Sequence, residues 1–325
     1  MKFIDMHCDT LMSMVEPKEG ESLLQNNKSV DFLRMKKGGS IAQFFAIFLF
    51  PEGSFGRVGL PYMTDDEYIK RLVEKTKADV ATNPEMIEMA YSTADIIKND
   101  ENGKMSAVLT IEDGRSVKGN MEKIKEYHEM GVRLMTLTWN FYNCFGAPNS
   151  ANKIIMEDGL TAFGKEAVQF MQELGMIIDV SHLSDGGFWD IIKLAKKPFV
   201  ASHSNSRLLS PHPRNMTDEM IKALGEAGGV AGLNFAPEFL HEDTVSKTST
   251  VELLVKHALH MKNIGGIDLV ALGSDLDGIH GELEVSDISK MPMLIDGFKQ
   301  GGFTEDEIEK ICYKNILRVM KDTIG

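Results

Sequence analysis

Met1-Lys2-Phe3-Ile4-Asp5-Met6-His7-Cys8-Asp9-Thr10 opens the chain, and its reading decides the rest. Phe3 and Ile4 begin an apolar run that closes in Asp5, His7 and Asp9. Side chains along a strand alternate faces, so His7 and Asp9 share one side while Cys8 points away as a small hydrophobe against the wall. An imidazole and a carboxylate so placed at a strand end form half of a metal site. The plain alternative is a strand whose polar end is solvated. Other strands decide between the two, by ending or not ending in matching ligands.

Seven more short apolar runs follow, at 41–50, 106–111, 132–138, 176–180, 199–202, 230–235 and 269–273. They are continuous rather than alternating, which suits a parallel sheet covered on both faces. Between them lie helical patterns at 65–81, 84–99, 120–130, 161–174, 184–195, 217–227, 250–264 and 304–322. Ser184, Thr217 and Thr304 are placed as N-caps, and Gly131, Gly175, Gly228 and Gly265 as stops. Eight strand–helix alternations predict a single-domain α/β fold over residues 1–325, a (β/α)8 TIM barrel with a helical insertion between strands two and three. An open doubly wound sheet with a second domain is the competing architecture. Gly38-Gly39 and residues 52–59 read as loops near the barrel mouth, and the Gly- and Pro-rich stretch 51–64 as a lid.

Of the 325 residues, 43% are hydrophobic and 26% charged, enough for a full core. The balance of 35 basic against 48 acidic residues disfavours nucleic acid and anionic membranes as partners and leaves cations or small molecules. Cys8, Cys144 and Cys312 are odd in number and scattered, which fits a reducing compartment. No basic stretch leads into an apolar core at the start, and no apolar run is long enough to span a bilayer. A cytoplasmic protein without membrane attachment is expected. The 21 methionines read as core filler.

In a TIM barrel the active site lies at the C-terminal ends of the strands. Here those ends read His7-Cys8-Asp9, Glu112-Asp113-Gly114, Ser181-His182, Ser202-His203-Ser204 and Ser274-Asp275-Leu276-Asp277. Three histidines and two or three carboxylates exceed what one catalytic zinc uses. Two metals bridged by a carboxylate and a hydroxide use the set economically. Glu112 is the candidate bridge, His7 and Asp9 complete one ion, and His182 and His203 the other. The donor mix suits zinc, with manganese or cobalt as substitutes. Asp275 is left over, either to move a proton between water and a leaving amine or to orient a histidine. Arg214, in the rigid Pro211-His212-Pro213-Arg214-Asn215 loop, suits a bidentate carboxylate; its alternative is a surface loop cap. Asn234 ends strand seven and is a candidate substrate contact. His212 and His280 are weaker candidates for lining the mouth.

In order and spacing, His7-x-Asp9, Glu112 in Ile-Glu-Asp-Gly, His182 in Asp-Val-Ser-His, His203 in Ser-His-Ser, Arg214-Asn215, and Asp275 in Gly-Ser-Asp-Leu-Asp-Gly resemble the membrane (renal) dipeptidase family of the amidohydrolase-like barrels. The resemblance runs from residue 3 to about 318. It implies two zinc ions bridged by Glu112, with His7 and Asp9 on one and His182 and His203 on the other. It implies Arg214 on the substrate's free carboxylate and Asp275 as proton shuttle. It implies cleavage of dipeptides, often with a D-residue at the C-terminal position, and frequently a homodimer. One departure stands out. Better-studied animal members carry a substrate-facing His at the end of strand four, where this chain has Trp139, which can stack or donate one N–H but cannot carry a proton. The same metal pair would also serve a lactone, cyclic amide, β-lactam or phosphoester. A barrel that only binds a ligand is the non-catalytic alternative, against which every ligand position holds a competent residue.

Overall fold

The computed structural model of the chain describes residues 1–51, 53–243 and 245–325. Eight parallel strands follow one another around a barrel: β1 (Phe3–Cys8), β2 (Ser40–Phe48), β3 (Met105–Glu112), β4 (Val132–Thr136), β5 (Ile177–Asp179), β6 (Val200–Ala201), β7 (Val230–Leu233) and β8 (Val270–Leu272). Closure comes just past the last strand. Cys8 bridges Leu276 in parallel, Asp9 N donates to Leu276 O at 2.9 Å, and Asp275 N donates to His7 O at 3.1 Å. The same bonds set the ends of β1 and β8 side by side.

The core has two parts. Ile4, Met6, Ala42, Phe44, Val108, Leu134, Ile177, Val200, Val230 and Ala271 form one cluster. It draws on all eight strands, so it fills the barrel lumen. Ile316, Val319 and Met320 of the last helix, Asn315–Ile324, pack into the same cluster and plug its lower end. The second, larger cluster lies between the sheet and the helices and holds Cys8. In β1, Ile4 and Met6 face the lumen, so strict alternation would turn His7 away from it. The β1–β2 register shifts between Asp5 and Cys8, and this irregularity frees His7 and Asp9 from that alternation.

The segment between β2 and β3 departs in part from the sequence pattern. Asp65–Ala81 is a helix opened by a Thr64/Glu67 capping box. Residues 84–99 are not one helix. Ile87–Met89 is a short edge strand parallel to β3, and the helix Thr93–Glu101 starts only after Ser92 caps it. Met86 and Met105 exchange a main-chain bond beside the pair, so pairing to the sheet edge overrides helical periodicity. Residues 304–322 are broken too, by a π turn at Lys310–Lys314. The helices Phe32–Gly38 and Lys153–Glu157 are too short to show a period, and Met291–Gln300, with Met291, Leu294, Ile295 and Phe298 buried on one face, is legible but absent from the expected helices. Gly38-Gly39 is corrected: it ends a helix and leads into β2, at the opposite end from the mouth, where Gly39 (φ 87°) supplies the left-handed cap. In the stretch 51–64, Glu52 lies outside the described residues. Phe55 of that stretch sits 5.5 Å from the Tyr68 ring and 6.1 Å from Phe50.

His257, in the helix Val251–Gly265, is buried without a charge partner. Ser206 N donates to its Nδ1 at 3.2 Å, and its Nε2 donates to Leu240 O at 3.1 Å, so the ring is neutral. Burial pushes its pKa down to about 4. The unfolded chain takes up this proton near pH 6.5 and the folded chain does not, so the contribution is complete above pH 6.5 and is lost as pH falls toward 4. Urea unfolding at pH 7.5 and 5 should therefore show His257→Gln losing less stability on acidification than wild type, by about 2 kcal/mol. Equal losses would place the acid sensitivity elsewhere.

Candidate metal centre

Each ligand candidate leaves a strand at the same end of the barrel. His7 and Asp9 leave β1, Glu112 closes β3, His182 follows β5, His203 follows β6 and Asp275 follows β8. All six are buried, and they converge. His7 Nε2 lies 3.4 Å from Asp9 Oδ2, 3.4 Å from Glu112 Oε2 and 3.8 Å from Asp275 Oδ1. The other oxygen of Glu112, Oε1, lies 3.0 Å from His182 Nε2 and 3.6 Å from His203 Nε2. One carboxylate thus turns one oxygen to each half of the cluster. Metal-sized groupings arise from His7, Glu112 and His203, and from His7, Asp9 and Asp275.

The residues fit a divalent cation. His7 Nε2 and Asp9 Oδ1 are buried with no hydrogen-bond partner, which a folded protein avoids. His182 Nε2 and His203 Nε2 face each other at 3.1 Å, while their Nδ1 atoms are engaged by Asn140 Oδ1 and Ser202 Oγ. Two imidazole lone pairs at that distance call for positive charge between them. Imidazole nitrogen and carboxylate oxygen are the donors that zinc, manganese and cobalt accept.

The electrostatics agree. Burial pushes the His182 pKa down to about 4, helped by the Arg214 charge, and pushes His203 well below its usual range, helped by His7. Both rings are neutral near pH 7, as ligands must be. Burial alone would lower His7 too, but the Asp9 and Glu112 charges outweigh it and raise it well above the ordinary value. Burial would raise Glu112, yet the His7 charge beside it holds it well below the usual carboxylate range. Burial pushes Asp9 up to about 6, with Glu112 adding to it. Burial also lifts Asp275 well above the carboxylate range; His7 opposes this, and Asp9 and Glu112 reinforce it.

The backbone is specialised here. Asp113 (φ 82°), His182 (φ 68°) and Asp275 (φ 62°) adopt left-handed conformations that L residues avoid. Gly278 has no room for a side chain, since a Cβ would lie 2.0 Å from Asp9 Oδ2 and 2.8 Å from Asp275 Oδ1.

A cavity of about 230 Å³ opens onto the cluster. Asp9, Glu112, His182 and Asp275 form its polar floor, and Met12, Phe48, Trp139, Phe239 and Ile279 its apolar wall. Trp139 is thus on the cavity, its ring 5.0 Å from Phe48. Arg214 is buried behind the cluster, with Nη1 donating to Ser204 Oγ and Nη2 to His203 O. Asn234 is fully buried, and its amide donates to Asp275 Oδ2 at 2.7 Å, so it holds Asp275 rather than lining the cavity. His212 sits behind Arg214, accepting from its main-chain N–H, and His280 is exposed. Sequence reasoning passed over Asn140, in the loop after β4, and Glu238 and Phe239, in the short 3-10 turn Pro237–Phe239, where no long periodic signal exists.

A buried cluster of imidazoles and carboxylates at the C-terminal rim of a (β/α)8 barrel defines a metal-dependent hydrolase of the barrel class. The family model for membrane dipeptidases, peptidase family M19, matches residues 1–324, and the chain belongs to that family. It is 31% identical over 305 residues to an uncharacterized dipeptidase of Schizosaccharomyces pombe, covering 90% of this chain and 72% of the relative. It is 35% identical over 247 residues to an uncharacterized protein in the pqqA 5' region of Klebsiella pneumoniae, covering 75% and 91%. Among solved structures, a family M19 metallopeptidase called dipeptidase AC aligns with TM-score 0.88 and 24% identity over 100% of this chain and 99% of that one. A Rhodobacter sphaeroides metallopeptidase, solved with a phosphinate mimic of the dipeptide L-Ala-D-Ala, aligns with TM-score 0.87 and 23% identity over 99% of each. The protein is a metallopeptidase with dipeptidase activity.

Because Gly278 abuts both Asp9 and Asp275, Gly278→Ala should displace these carboxylates and weaken metal binding about tenfold or more, with little change in the far-ultraviolet spectrum. Titration with a competing chelator reads this directly; unchanged affinity would remove Asp9 and Asp275 from the metal's surroundings.

Proposed function

We propose that the chain binds two zinc ions and hydrolyses dipeptides, accepting a D-residue at the C-terminal position. One observation carries this reading: the two oxygens of Glu112 face separate ligand groups, His7 with Asp9 on one side and His182 with His203 on the other. Held by His7, Asp9, Glu112, His182 and His203, zinc would supply Lewis-acid polarisation of the scissile carbonyl and lower the pKa of a nearby water toward neutrality. The remaining steps belong to the chain's own residues.

Asp275, anchored by Asn234 and lining the cavity, accepts the water proton and passes it to the departing amine. Arg214 receives the substrate's free carboxylate. Support comes from its unusual situation: it is buried, its Nε has no partner, and the carboxylates of Asp275, Glu112 and Asp179 act on it only through space. An unpaired buried guanidinium is costly, and a substrate carboxylate relieves that cost. A longer peptide, lacking a carboxylate there, leaves the cost in place, which limits the enzyme to dipeptides. The apolar wall of Phe48, Trp139 and Phe239 shelters the substrate side chains. Tolerance of a D-residue is favoured by the dipeptide mimic carried by the Rhodobacter relative. Manganese or cobalt can replace zinc within the same donor set. Three free cysteines favour a cytoplasmic setting, and among the described residues no helix is long and apolar enough to cross a membrane.

Chelator-treated enzyme should lose dipeptide hydrolysis and regain it with added zinc; activity that survives full metal removal refutes the reading. Asp275→Asn should keep its zinc yet lose about 100-fold or more in kcat. A near-normal kcat would return Asp275 to an orienting role. Wild type should prefer a dipeptide to its C-terminal amide, and Arg214→Ala should lose about 10- to 100-fold in kcat/KM for the dipeptide alone. Equal losses on both substrates would take the carboxylate away from Arg214 and favour another scissile bond.

A further inference from the structure

We propose that Asp179, which lies outside the ligand set, is a positioning residue: acting through the Ser202 hydroxyl, it fixes His203 as the Nδ1–H tautomer and keeps the Nε2 lone pair turned toward Glu112. The inference rests on His203 being a metal ligand.

Asp179 closes β5 and is fully buried. Its Oδ1 accepts from two main-chain groups, Ser181 N at 2.9 Å and Ser202 N at 2.8 Å. Its Oδ2 accepts from two hydroxyls, Thr136 Oγ1 and Ser202 Oγ, each at 2.6 Å. An ionised carboxylate is acceptor-only, so both hydroxyl protons point at Asp179. A serine hydroxyl has one proton. With that proton committed, Ser202 Oγ can meet His203 Nδ1, 2.7 Å away, only as an acceptor. Nδ1 must then carry the ring hydrogen, and Nε2 is left as a lone pair. Ser181 Oγ offers no rival route, since it accepts from His203 N at 3.1 Å and lies 3.4 Å from Ser202 Oγ. His182 has no such relay; its Nδ1 meets the amide oxygen of Asn140, an exposed residue.

The proton count makes a prediction that a packing role does not. In Asp179→Asn the two main-chain donors still hold the amide oxygen, so the NH2 group takes the Oδ2 position and donates to Ser202 Oγ. The Ser202 proton then turns to His203 Nδ1, and the ring hydrogen moves to Nε2, where it opposes a cation. Ser202→Ala only removes the link and leaves both tautomers accessible. The more distant and more conservative change is therefore the more damaging one.

Two measurements on protein carrying 15N-labelled histidine test this. Zinc affinity by chelator competition should fall about tenfold in Ser202→Ala and about 100-fold in Asp179→Asn, for one of the bound ions. Long-range 1H–15N spectra after zinc removal should place the His203 hydrogen on Nδ1 in wild type and on Nε2 in Asp179→Asn. Wild-type affinity in Asp179→Asn, or its His203 hydrogen still on Nδ1, overturns the proposal. Should Asp179→Asn not fold, the wild-type spectrum decides alone, and a hydrogen on Nε2 overturns it. Wild type that takes up no zinc would instead defeat the metal-centre reading, while the spectra would still report on Asp179.

Discussion

Three carboxylates and three imidazoles share one dry rim of the barrel, and the rest of the site follows from that crowding. Asp9, Glu112 and Asp275 surround His7, and none of the four reaches much solvent. Like charges so close and so desolvated repel strongly unless positive charge sits among them. The Asp9 and Glu112 charges outweigh burial and raise the His7 pKa, whereas burial lowers those of His182 and His203. The same arrangement is what divalent cations satisfy, because their charge balances the carboxylates while imidazole lone pairs complete their shells. The pocket trades folding stability for cation affinity.

Such a cluster stays assembled only if the framework beneath it is stiff. Two buried carboxylates below the rim supply much of that stiffness. Asp179 gathers β4, β5 and β6 through Thr136, Ser181 and Ser202. Asp5 gathers β1, β2 and β8 through Gln43 and Ser274, whose N–H and hydroxyl both reach it. Each lies in a seam where short strands give few ladder bonds, and each steadies the residue that precedes a ligand or Asp275. Carboxylates accepting several donors at fixed angles hold strand ends more rigidly than apolar contacts do. The strained backbone at His182 and Asp275 persists because these anchors overdetermine it.

Much of this was legible in the sequence because burial on both faces writes continuous apolar runs, and all eight barrel strands announced themselves that way. The strand ends were equally legible, since imidazole and carboxylate rarely follow apolar runs by chance. What escaped the pattern was set by tertiary contact. Ile87–Met89 is a strand because an open sheet edge lies beside it, and periodicity carries no record of a neighbour. Asn234 looked like a substrate contact because it ends a strand, yet Asp275 beside it claims its amide. Asp179 and Ser202 stood within the quoted motifs, but their roles depend on which proton points where, and only distances across three strands reveal that. The face of His7 depends on a register shift in β1 that strict alternation does not encode.

Trp139 sets the character of one side of the cavity. A histidine there would bring a second titratable group to the substrate; an indole brings one N–H and a large apolar face. In this chain that face continues the wall begun by Phe48, with Phe141 5.8 Å from the Trp139 ring. On the proposed function, proton transfer then falls to Asp275, and charge recognition to Arg214. The gain is apolar contact area against the substrate's side chains, worth roughly 25 cal/mol per Å² removed from water. On the proposed function, such a site would discriminate by side-chain shape at the apolar wall of the cavity and by terminal charge through Arg214.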